Sequence, residues 1–349
     1  MHLYKKSFLD TQTWKISELS EVLSFATQMK LDPLNTAWTN ILKHKTFLML
    51  FYNASFRTHL SFETAVQQLG GHAVYQTPKM TYAGINQYAG EAIRDVAAVM
   101  SRYVHGIGIR MMLDAIPHYG AAHQILEEYA RVGSIPVINM CDDRFHPCQA
   151  LADFLGWAEK WGNGRGHPDF KNLKGKKLVV TWAKSHLPRP WGSVQSHLLV
   201  ASQFGMNVTI ARPNGYDLDA RVYQQIQQNC AENNTRFDIV DNPDDAYAGA
   251  HVVFVRNWIS EQAYEDGLFQ QKAEVQRALN FNDWITTTER MQRTDKAIFA
   301  NPMPLDRGVE ATDEVADSSR SVMYDVAENR LHIQKALLAL TMGSNLQLG

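Results

Sequence analysis

The chain has 349 residues, of which 45% are hydrophobic and 20% charged, and its 34 basic against 36 acidic residues give a formal charge of −2. This balance is typical of a soluble globular protein, and the length predicts two domains. The sequence lacks the basic excess that is typical of nucleic-acid-binding proteins. Its first residues lack the apolar run expected of a signal peptide, and no apolar stretch is long enough to span a membrane. Three cysteines do not predict a disulfide framework. We therefore expect a cytoplasmic protein with neither a nucleic-acid nor a membrane partner.

Short apolar runs alternate with amphipathic ones, the pattern of parallel sheets covered by helices. In the first half it predicts strands over 47–51, 72–76, 106–110 and 135–140 and helices over 56–69, 91–104 and 125–129. After a helix over 149–161 and a glycine-rich loop over 162–168, it predicts strands over 177–182, 206–211, 237–240, 251–255, 297–300 and 322–324, and a last helix over 331–342.

This order predicts an α/β fold of two parallel-sheet, Rossmann-like domains, residues 1–148 and 149–330. The C-terminal helix, 331–349, is expected to pack on the first domain. Ligands of such sheets bind at the carboxyl ends of the strands, so the residues that follow each predicted strand are the candidates for a functional site.

The first such segment, residues 55–58, opens a helix directly after a predicted strand and reads Ser55, Phe56, Arg57 and Thr58. Free backbone N–H groups and the helix dipole favour an anion there. The two hydroxyls add donors, and the guanidinium matches phosphate oxygens. The alternative is a Ser N-cap followed by a surface Arg. No G-x-x-x-x-G-K-[ST] motif is present, which disfavours a P-loop nucleotide site.

The second segment places His146 and Gln149 three residues apart at a predicted helix start. Two polar groups with this spacing can point at one carbonyl oxygen and stabilise a developing oxyanion. The alternative is a histidine that merely precedes a helix with Pro at its first position. Cys148, between them, is more typical of a buried thiol than of a nucleophile.

Two further arginines complete the pattern: Arg110 ends the predicted strand 106–110, and Arg330 precedes the predicted last helix. Together with Arg57 and His146 they put four basic side chains at predicted strand ends. Any one of them could be merely solvated. Their convergence would form a small, cationic, metal-free anion pocket.

In this order the motifs resemble those of the aspartate and ornithine carbamoyltransferase family. Residues 55–58 match its S-x-R-T carbamoyl-phosphate motif, and residues 146–153 resemble the ornithine-type H-P-x-Q-x-L-A-D. Arg110 and Arg330 stand where the family has further phosphate-binding arginines. The resemblance spans essentially the whole chain. It implies a carbamoyl-phosphate-binding first domain, an acceptor-amine-binding second domain, and acyl transfer without a metal or an organic cofactor.

Within the family the chain is similar to the branch that acts on N-acylated ornithine. Residues 181–190 resemble that branch's proline-rich loop, which implies a knotted second domain, and residues 256–258 resemble its K-x-W motif with Arg for Lys. Residues 328–335 are closest to the acetylornithine enzymes. Tyr82 stands where that group has a Trp that reaches a neighbouring subunit's site, which implies a homotrimer with shared active sites.

The resemblance also implies roles for individual residues. Those expected to bind carbamoyl phosphate are Ser55, Phe56, Arg57, Thr58, Tyr82, Arg110, His146, Gln149, Met303, Pro304 and Arg330. Among these, Arg110, His146, Gln149 and Arg330 are expected to be catalytic, with His146, Gln149 and Arg330 polarising the carbamoyl oxygen. Those expected to bind the acceptor are Trp182, Gln195, Arg256, Asn301, Leu305 and Arg307. The alternative roles are those of a core residue for Trp182 and of a solvated surface residue for Arg307.

The sequence departs from the family at the acceptor end. Residues 301–304, Asn-Pro-Met-Pro, replace H-C-L-P; Glu310 occupies a common Lys position, and Asp306 replaces an Arg. His59 replaces the second Arg of S-x-R-T-R. Gly90 falls where acetylornithine enzymes have Glu and succinylornithine enzymes have Pro.

The predicted function is transfer of the carbamoyl group of carbamoyl phosphate to the side-chain amine of N-acetylornithine, in arginine biosynthesis. The alternatives are N-succinylornithine, ornithine or another diamino acid as acceptor, and a non-catalytic paralogue that binds anions. A nicotinamide dehydrogenase is disfavoured because no G-x-G-x-x-G follows a strand.

Overall fold

The computed structural model describes residues 2–77 and 91–343. The chain divides into two compact units, the first made of Met1–Cys148 and Arg330–Gly349 and the second of Gln149–Asn329. Tyr82, one of the predicted site residues, and Gly90 lie outside the described residues. Each unit contains its own parallel sheet, so the two are described in turn.

Unit 1 contains a four-stranded sheet in the order β2-β1-β3-β4, with every pairing parallel. Its strands are β1 Thr46–Phe51, β2 His72–Gln76, β3 Gly106–Arg110 and β4 Val137–Cys141. Its helices are α1 Ile16–Leu31, α2 Phe56–Gln68, α3 Ile93–Tyr103 and α4 Ala121–Val132, with a 3₁₀ turn at Leu113–Ala115. Apolar and β-branched residues give β1 and β4 their almost completely buried faces.

The middle strand β3 owes its position to two glycines. A Cβ atom at Gly108 would lie 2.7 Å from the sulfur of Met140 and 2.8 Å from the ring of Phe47, and one at Gly106 would lie 2.7 Å from the sulfur of Met342. A side chain at either position would force these neighbours to shift. The strand therefore packs closely under large apolar neighbours and carries Arg110 to the carboxyl edge of the sheet.

Unit 2 contains a five-stranded parallel sheet in the order β11-β8-β5-β6-β7. Its strands are β5 Lys177–Trp182, β6 Asn207–Ala211, β7 Phe237–Val240, β8 Val252–Arg256 and β11 Ile298–Ala300, and β9 Tyr264–Glu265 with β10 Leu268–Phe269 forms an antiparallel pair. Its helices are α6 Gly192–Gln203, α7 Ala220–Asn233, α8 Pro243–Ala246, α9 Gln271–Leu279, α10 Thr288–Gln292 and α11 Asp313–Ala316, with a 3₁₀ turn at Lys171–Leu173.

Two helices cross the boundary between the units: α5 Pro147–Trp161 and α12 Met323–Met342. Every residue of α6 is buried, including polar residues such as Gln195 and His197, which have hydrogen-bond partners within unit 2. No helix in the described part of the chain, α12 included, is long and apolar enough to cross a membrane. The predicted α/β class with two parallel-sheet domains is confirmed, and the knot stays a prediction.

One predicted element is wrong. Residues 322–324, expected to form a strand, instead begin α12. Val322 makes a single strand-like contact, in which its N–H donates to the Phe299 carbonyl, and its own carbonyl then accepts the N–H of Val326. Three apolar residues are too few to distinguish a strand from one helix face. As a result, Arg330 lies inside a 20-residue helix and not, as expected, at a strand end before it.

Candidate active site

The N-terminus of α2 in unit 1 has the geometry of an anion site. Ser55 is the N-cap residue, in extended conformation, and its hydroxyl accepts the N–H of Thr58 at 3.4 Å. The Ser55 and Thr58 hydroxyl oxygens lie 3.0 Å apart. The N–H groups of Phe56 and Arg57 begin the helix and have no carbonyl partner within it. The side chain of Phe56 is 78% exposed, so only its backbone can serve such a site.

Three guanidinium groups cluster near this helix end. Arg110 ends β3 directly beside Phe51, the last residue of β1, and its carbonyl accepts the N–H of Tyr52 at 2.9 Å. Arg330 reaches the same place from α12, where its Nη2 donates to the Thr58 hydroxyl at 2.7 Å. Arg57 lies on α2 itself. For all three side chains, Nε is buried and lacks a hydrogen-bond acceptor among residues 2–77 and 91–343.

The electrostatics of this cluster favour an anionic ligand. Burial, together with the charge of Arg110, lowers the pKa of the Arg57 guanidinium. Burial, with repulsion from Arg110 and Arg57, lowers the pKa of Arg330 to about 10. Buried charges are normally paired, yet no carboxylate of the described residues pairs with these three cations. A bound dianion would supply the counter-charge and a hydrogen-bond acceptor for each guanidinium group.

A tight turn after β4 positions His146 in unit 1. The Asp142 carboxylate accepts the N–H groups of Arg144 at 2.8 Å and Phe145 at 2.5 Å, and its other oxygen lies 2.7 Å from Nδ1 of His123. The turn places His146, which is 8% exposed, immediately before the first residue of α5. It lies in the same unit as the three arginines, and its convergence with them stays a prediction.

Cys148 does not have the environment of a nucleophile. Its side chain is completely buried, and its sulfur lies 3.6 Å from the Asn139 carbonyl oxygen. Burial raises the pKa of the thiol to about 12. Since only a thiolate attacks effectively, the interpretation of Cys148 as a structural thiol is the better one.

Gln149, the third residue of α5, belongs to unit 2 and is 1% exposed. Its Nε2 donates to the Asp153 carboxylate at 2.5 Å, whereas its Oε1 is buried without a donor among the described residues. The sequence interpretation gave this amide the role of a donor to a carbonyl oxygen. The geometry commits one of the two N–H groups of Nε2 to Asp153 and leaves an acceptor oxygen available, so the donor role stays a prediction.

Two predicted acceptor residues, Arg256 and Asn301, lie in unit 2 together with Met303 and Pro304, which were predicted to bind carbamoyl phosphate. Arg256 ends β8, and its Nη1 donates to the Pro304 carbonyl at 3.2 Å. Asn301 follows β11; its Nδ2 donates to the Val255 carbonyl at 2.9 Å and its Oδ1 accepts the N–H of Met303 at 2.7 Å. Leu305, which follows Pro304 in the chain, is half-buried.

Arg189 joins this group, although sequence reasoning did not select it as a site residue. Its Nη2 donates to the same Pro304 carbonyl at 3.1 Å, so the guanidinium groups of Arg189 and Arg256 share one acceptor. Both side chains are at least nine-tenths buried. The only indication in the sequence was its place in the proline-rich segment 181–190.

Asp306 and Glu310, the two acidic residues that depart from the family pattern, accept hydrogen bonds from the loops around this group. Glu310 is fully buried, and its carboxylate accepts the N–H groups of Asn257 at 3.0 Å and Asp306 at 2.7 Å. Asp306 in turn accepts the Ser185 hydroxyl at 3.0 Å and the His186 N–H at 2.8 Å. Burial would raise the pKa of Asp306, but these hydrogen bonds lower it overall. Together, the two carboxylates connect the loops that follow β5, β8 and β11.

Three other predicted acceptor residues have partners of their own. Trp182 is 1% exposed, packs 4.7 Å from the ring of Tyr216 and donates to the Trp258 carbonyl. Gln195 is buried and accepts the N–H of the residue that caps α7. Arg307 forms ion pairs with Asp313 and Asp317, and these raise its pKa. The alternatives, a core residue for Trp182 and a surface residue for Arg307, agree with these contacts.

Family models match both halves of the chain. The carbamoyl-P binding domain of aspartate/ornithine carbamoyltransferase matches residues 6–159, and its Asp/Orn binding domain matches residues 192–341. Among curated proteins, the N-acetylornithine carbamoyltransferase of Xanthomonas campestris pv. campestris is 35% identical over 97% of this chain and 98% of its own length. The ornithine carbamoyltransferase of Methanopyrus kandleri is 36% identical over 87% and 86%, respectively.

Solved structures agree with these relatives. Acetylornithine transcarbamylase complexed with acetylcitrulline has a TM-score of 0.85 at 35% identity, covering 97% of this chain and 100% of its own. A mutant of N-acetyl-L-ornithine transcarbamylase complexed with carbamyl phosphate and N-succinyl-L-norvaline has a TM-score of 0.84 at 35% identity, covering 96% and 99%. The resemblance read from the motifs is confirmed: the chain belongs to the aspartate/ornithine carbamoyltransferase family.

Proposed function

We propose that this chain transfers the carbamoyl group of carbamoyl phosphate to the side-chain amine of N-acetylornithine, giving N-acetylcitrulline and phosphate. The observation that carries the proposal is the cluster of Arg57, Arg110 and Arg330 at the N-terminus of α2, where the described protein supplies no counter-charge. The choice of acceptor is supported by relatives named for N-acetylornithine and by one solved with acetylcitrulline.

The proposed contacts with carbamoyl phosphate involve residues of unit 1. Arg57, Arg110, the Ser55 hydroxyl and the first N–H groups of α2 bind the phosphate oxygens. Arg330 and His146 donate toward the carbamoyl oxygen, where negative charge develops as the carbon becomes tetrahedral. The neutral amine of the acceptor attacks that carbon, the bond to the phosphate oxygen breaks, and the amine proton leaves with phosphate. Positioning and electrostatics account for the acceleration.

The proposed contacts with the acceptor involve residues of unit 2. Arg189 and Arg256 bind the α-carboxylate of the acceptor, since two buried guanidinium groups suit an anion. The nearby carboxylates of Asp306 and Glu310 already accept backbone N–H groups. Neither of these two carboxylates is therefore available solely to a free α-ammonium group such as that of ornithine. N-acylation removes that charge, which favours an N-acylated acceptor over ornithine.

The test is a panel of acceptors at fixed carbamoyl phosphate, with citrulline-type products measured by colorimetry. N-acetylornithine is expected to have the highest kcat/KM, and the other acceptors are N-succinylornithine, ornithine and a shorter diamino acid. A higher kcat/KM for any of these would reassign the acceptor. No turnover with any amine would favour the non-catalytic, anion-binding alternative.

Arg57→Ala tests the phosphate assignment in the same assay. Removing one donor to the phosphate group, which gains negative charge as it leaves, is expected to lower kcat/KM by about 10²–10³-fold. The matched control is Arg131→Ala, which removes an exposed arginine from α4 in the same unit and should change kcat/KM less than about two-fold. Activity retained in Arg57→Ala would contradict the assignment.

We also propose a homotrimer with shared active sites and a cytoplasmic location. The trimer rests on the family resemblance, and the compartment on composition and the few cysteines. Light scattering on the purified chain tests the first, with three times the chain mass as the expected result and a monomer as the contradicting one.

A further inference from the structure

A chain of buried hydrogen bonds leads away from Gln149 into unit 2. Gln149 Nε2 donates to Oδ1 of Asp153 at 2.5 Å, and Oδ2 of the same carboxylate lies 2.9 Å from Nε2 of His197. Nδ1 of His197 lies 2.5 Å from the carbonyl oxygen of Ser193, one turn earlier on α6. Asp153 and His197 are at most 1% exposed, and the imidazole stacks 4.0 Å from the ring of Phe254.

The hydrogen-bond acceptors around the imidazole of His197 determine how many protons His197 and Asp153 hold between them. The Ser193 carbonyl can only accept, so Nδ1 of His197 must carry a proton. A second proton must lie between Nε2 and Oδ2 of Asp153, because two lone pairs 2.9 Å apart would repel each other. Whichever of the two groups carries that proton, the opposite carboxylate oxygen, Oδ1, remains an acceptor.

This acceptor decides the orientation of the Gln149 amide. Oδ1 of Asp153 can be satisfied only by an N–H, so Nε2 of Gln149 faces Asp153 and Oε1 faces the other way. With the amide reversed, two oxygen acceptors would meet in a buried site, which costs more than a missing hydrogen bond. The oxygen of Gln149, which faces away from Asp153, is therefore an acceptor suited to the N–H groups of a reactant.

We propose that Asp153 and His197 form a positioning pair for the transfer reaction: through Asp153 they fix the Gln149 amide with its oxygen toward the N–H groups of the reactants. The inference rests on the proposed carbamoyl transfer. Neither residue touches a reactant. Their effect on catalysis passes through Gln149 alone, and this is what separates the proposal from a general contribution to folding.

Two substitutions at Asp153 differ only in whether the amide stays oriented. In Asp153→Asn, His197 still donates from Nδ1 to Ser193, so its Nε2 is a bare acceptor and takes the new amide N–H; the new carbonyl oxygen then faces Gln149. The orientation is retained, and kcat should stay within about three-fold of the wild type. Asp153→Leu removes the acceptor, and kcat should fall about ten-fold, as expected for the loss of one net hydrogen bond.

A double-mutant cycle with Gln149→Met shows whether substitutions at Asp153 change kcat through Gln149. Methionine has a similar length but no amide to orient, so Asp153→Asn and Asp153→Leu should give equal kcat values in that background. A difference of about ten-fold that persists there would overturn the proposal, because Asp153 would then act without Gln149. So would a loss of about ten-fold in Asp153→Asn. If Asp153→Leu does not fold, as judged by thermal unfolding, Asp153→Ala replaces it.

The failure of this inference can be distinguished from that of the proposed function. If the wild type converts no acceptor, the proposed function fails. The ¹⁵N shifts of His197 in the labelled wild-type chain then still report whether Nδ1 is protonated and whether Nε2 shares a proton. An imidazole with a bare Nδ1 would contradict the geometry directly.

Discussion

At the scale of single residues, the dominant feature of unit 1 is a cluster of buried positive charges that no carboxylate within residues 2–77 and 91–343 neutralises. Arg330 is 4% exposed and lies close enough to Arg57 and Arg110 for all three charges to repel. It donates a hydrogen bond to the hydroxyl of Thr58, which carries no charge. Such an arrangement destabilises the free protein and stabilises the bound state. A site of this kind is expected where binding an anion is the function.

Arg330→Met should therefore separate stability from binding. Without phosphate, the free energy of unfolding should stay the same or rise by about 1 kcal/mol, because a buried, unpaired charge is replaced by an apolar group. At a phosphate concentration of about 100 times Kd, the wild type should gain about 2.7 kcal/mol and the variant much less. Urea unfolding with and without inorganic phosphate measures both quantities.

The control for this experiment lies on the same helix. Leu337→Ala removes a fully buried side chain of α12 and should cost about 2–5 kcal/mol while leaving the gain from phosphate unchanged. If Arg330→Met instead loses several kcal/mol and keeps the full gain from phosphate, then Arg330 is a structural residue and not a ligand-binding one.

At the scale of elements, the turn between β4 and α5 depends on a buried ion pair with α4. Burial would lower the pKa of His123, but the Asp142 carboxylate raises it above its usual value. A histidine whose pKa is raised on folding stabilises the native state below its unfolded pKa of about 6.5. That contribution disappears as the pH rises through the higher, native pKa. The turn that presents His146 should then lose part of its support.

His123→Gln should flatten this pH dependence. Between about pH 6 and the alkaline side of the native pKa of His123, the free energy of unfolding of the wild type should fall more than that of the variant. Urea unfolding at a series of pH values provides the comparison. His72→Gln, at an exposed position in β2, serves as the control and should follow the wild type. Parallel curves for His123→Gln and the wild type would contradict the prediction.

The sequence located the strands well because their apolar runs are long and bounded by turns. The strands 106–110, 177–182 and 237–240 agree with the predicted limits. The run at 322–324 was too short to decide, and a helix formed because Val322, Met323 and Val326 bury one face.

The contacts of the candidate site were harder to predict than its elements. Arg57, Arg110 and Arg330 could be grouped from the sequence because all three match positions of the family's motifs, although Arg330 lies inside α12 and not at the predicted strand end. The shared carbonyl of Arg189 and Arg256 could not, because it joins residues far apart in the chain from each other and from Pro304. The pairing of Asp153 with His197 likewise joins two helices. Asp153 ends the motif at 146–153, but no motif in the sequence indicated His197 as its partner.

At the scale of the whole molecule, unit 1 is discontinuous in sequence. Its sheet comes from the first 148 residues, but the end of α12 packs into it: the N–H of Lys5 donates to the Thr341 carbonyl at 2.8 Å, and Lys45 donates to the Met342 carbonyl. Met342 also covers Gly106 on β3. Unit 2, by contrast, is one continuous segment with its own sheet and core.

Ending the chain after Asn329 should therefore unfold unit 1 selectively. The deletion removes six buried apolar side chains of Leu, Ile or Ala in α12, namely Ile333, Ala336, Leu337, Leu338, Ala339 and Leu340. At about 1.5–3 kcal/mol for each buried Leu or Ile, the loss is comparable with the whole stability of a domain. Hydrogen exchange should show lost protection in β1 and β3 and retained protection in β5 and β8. Arg330→Met in the full-length chain, which keeps the helix, should protect all four strands. Slow exchange of β1 and β3 in the shortened chain would mean that unit 1 folds without its last helix.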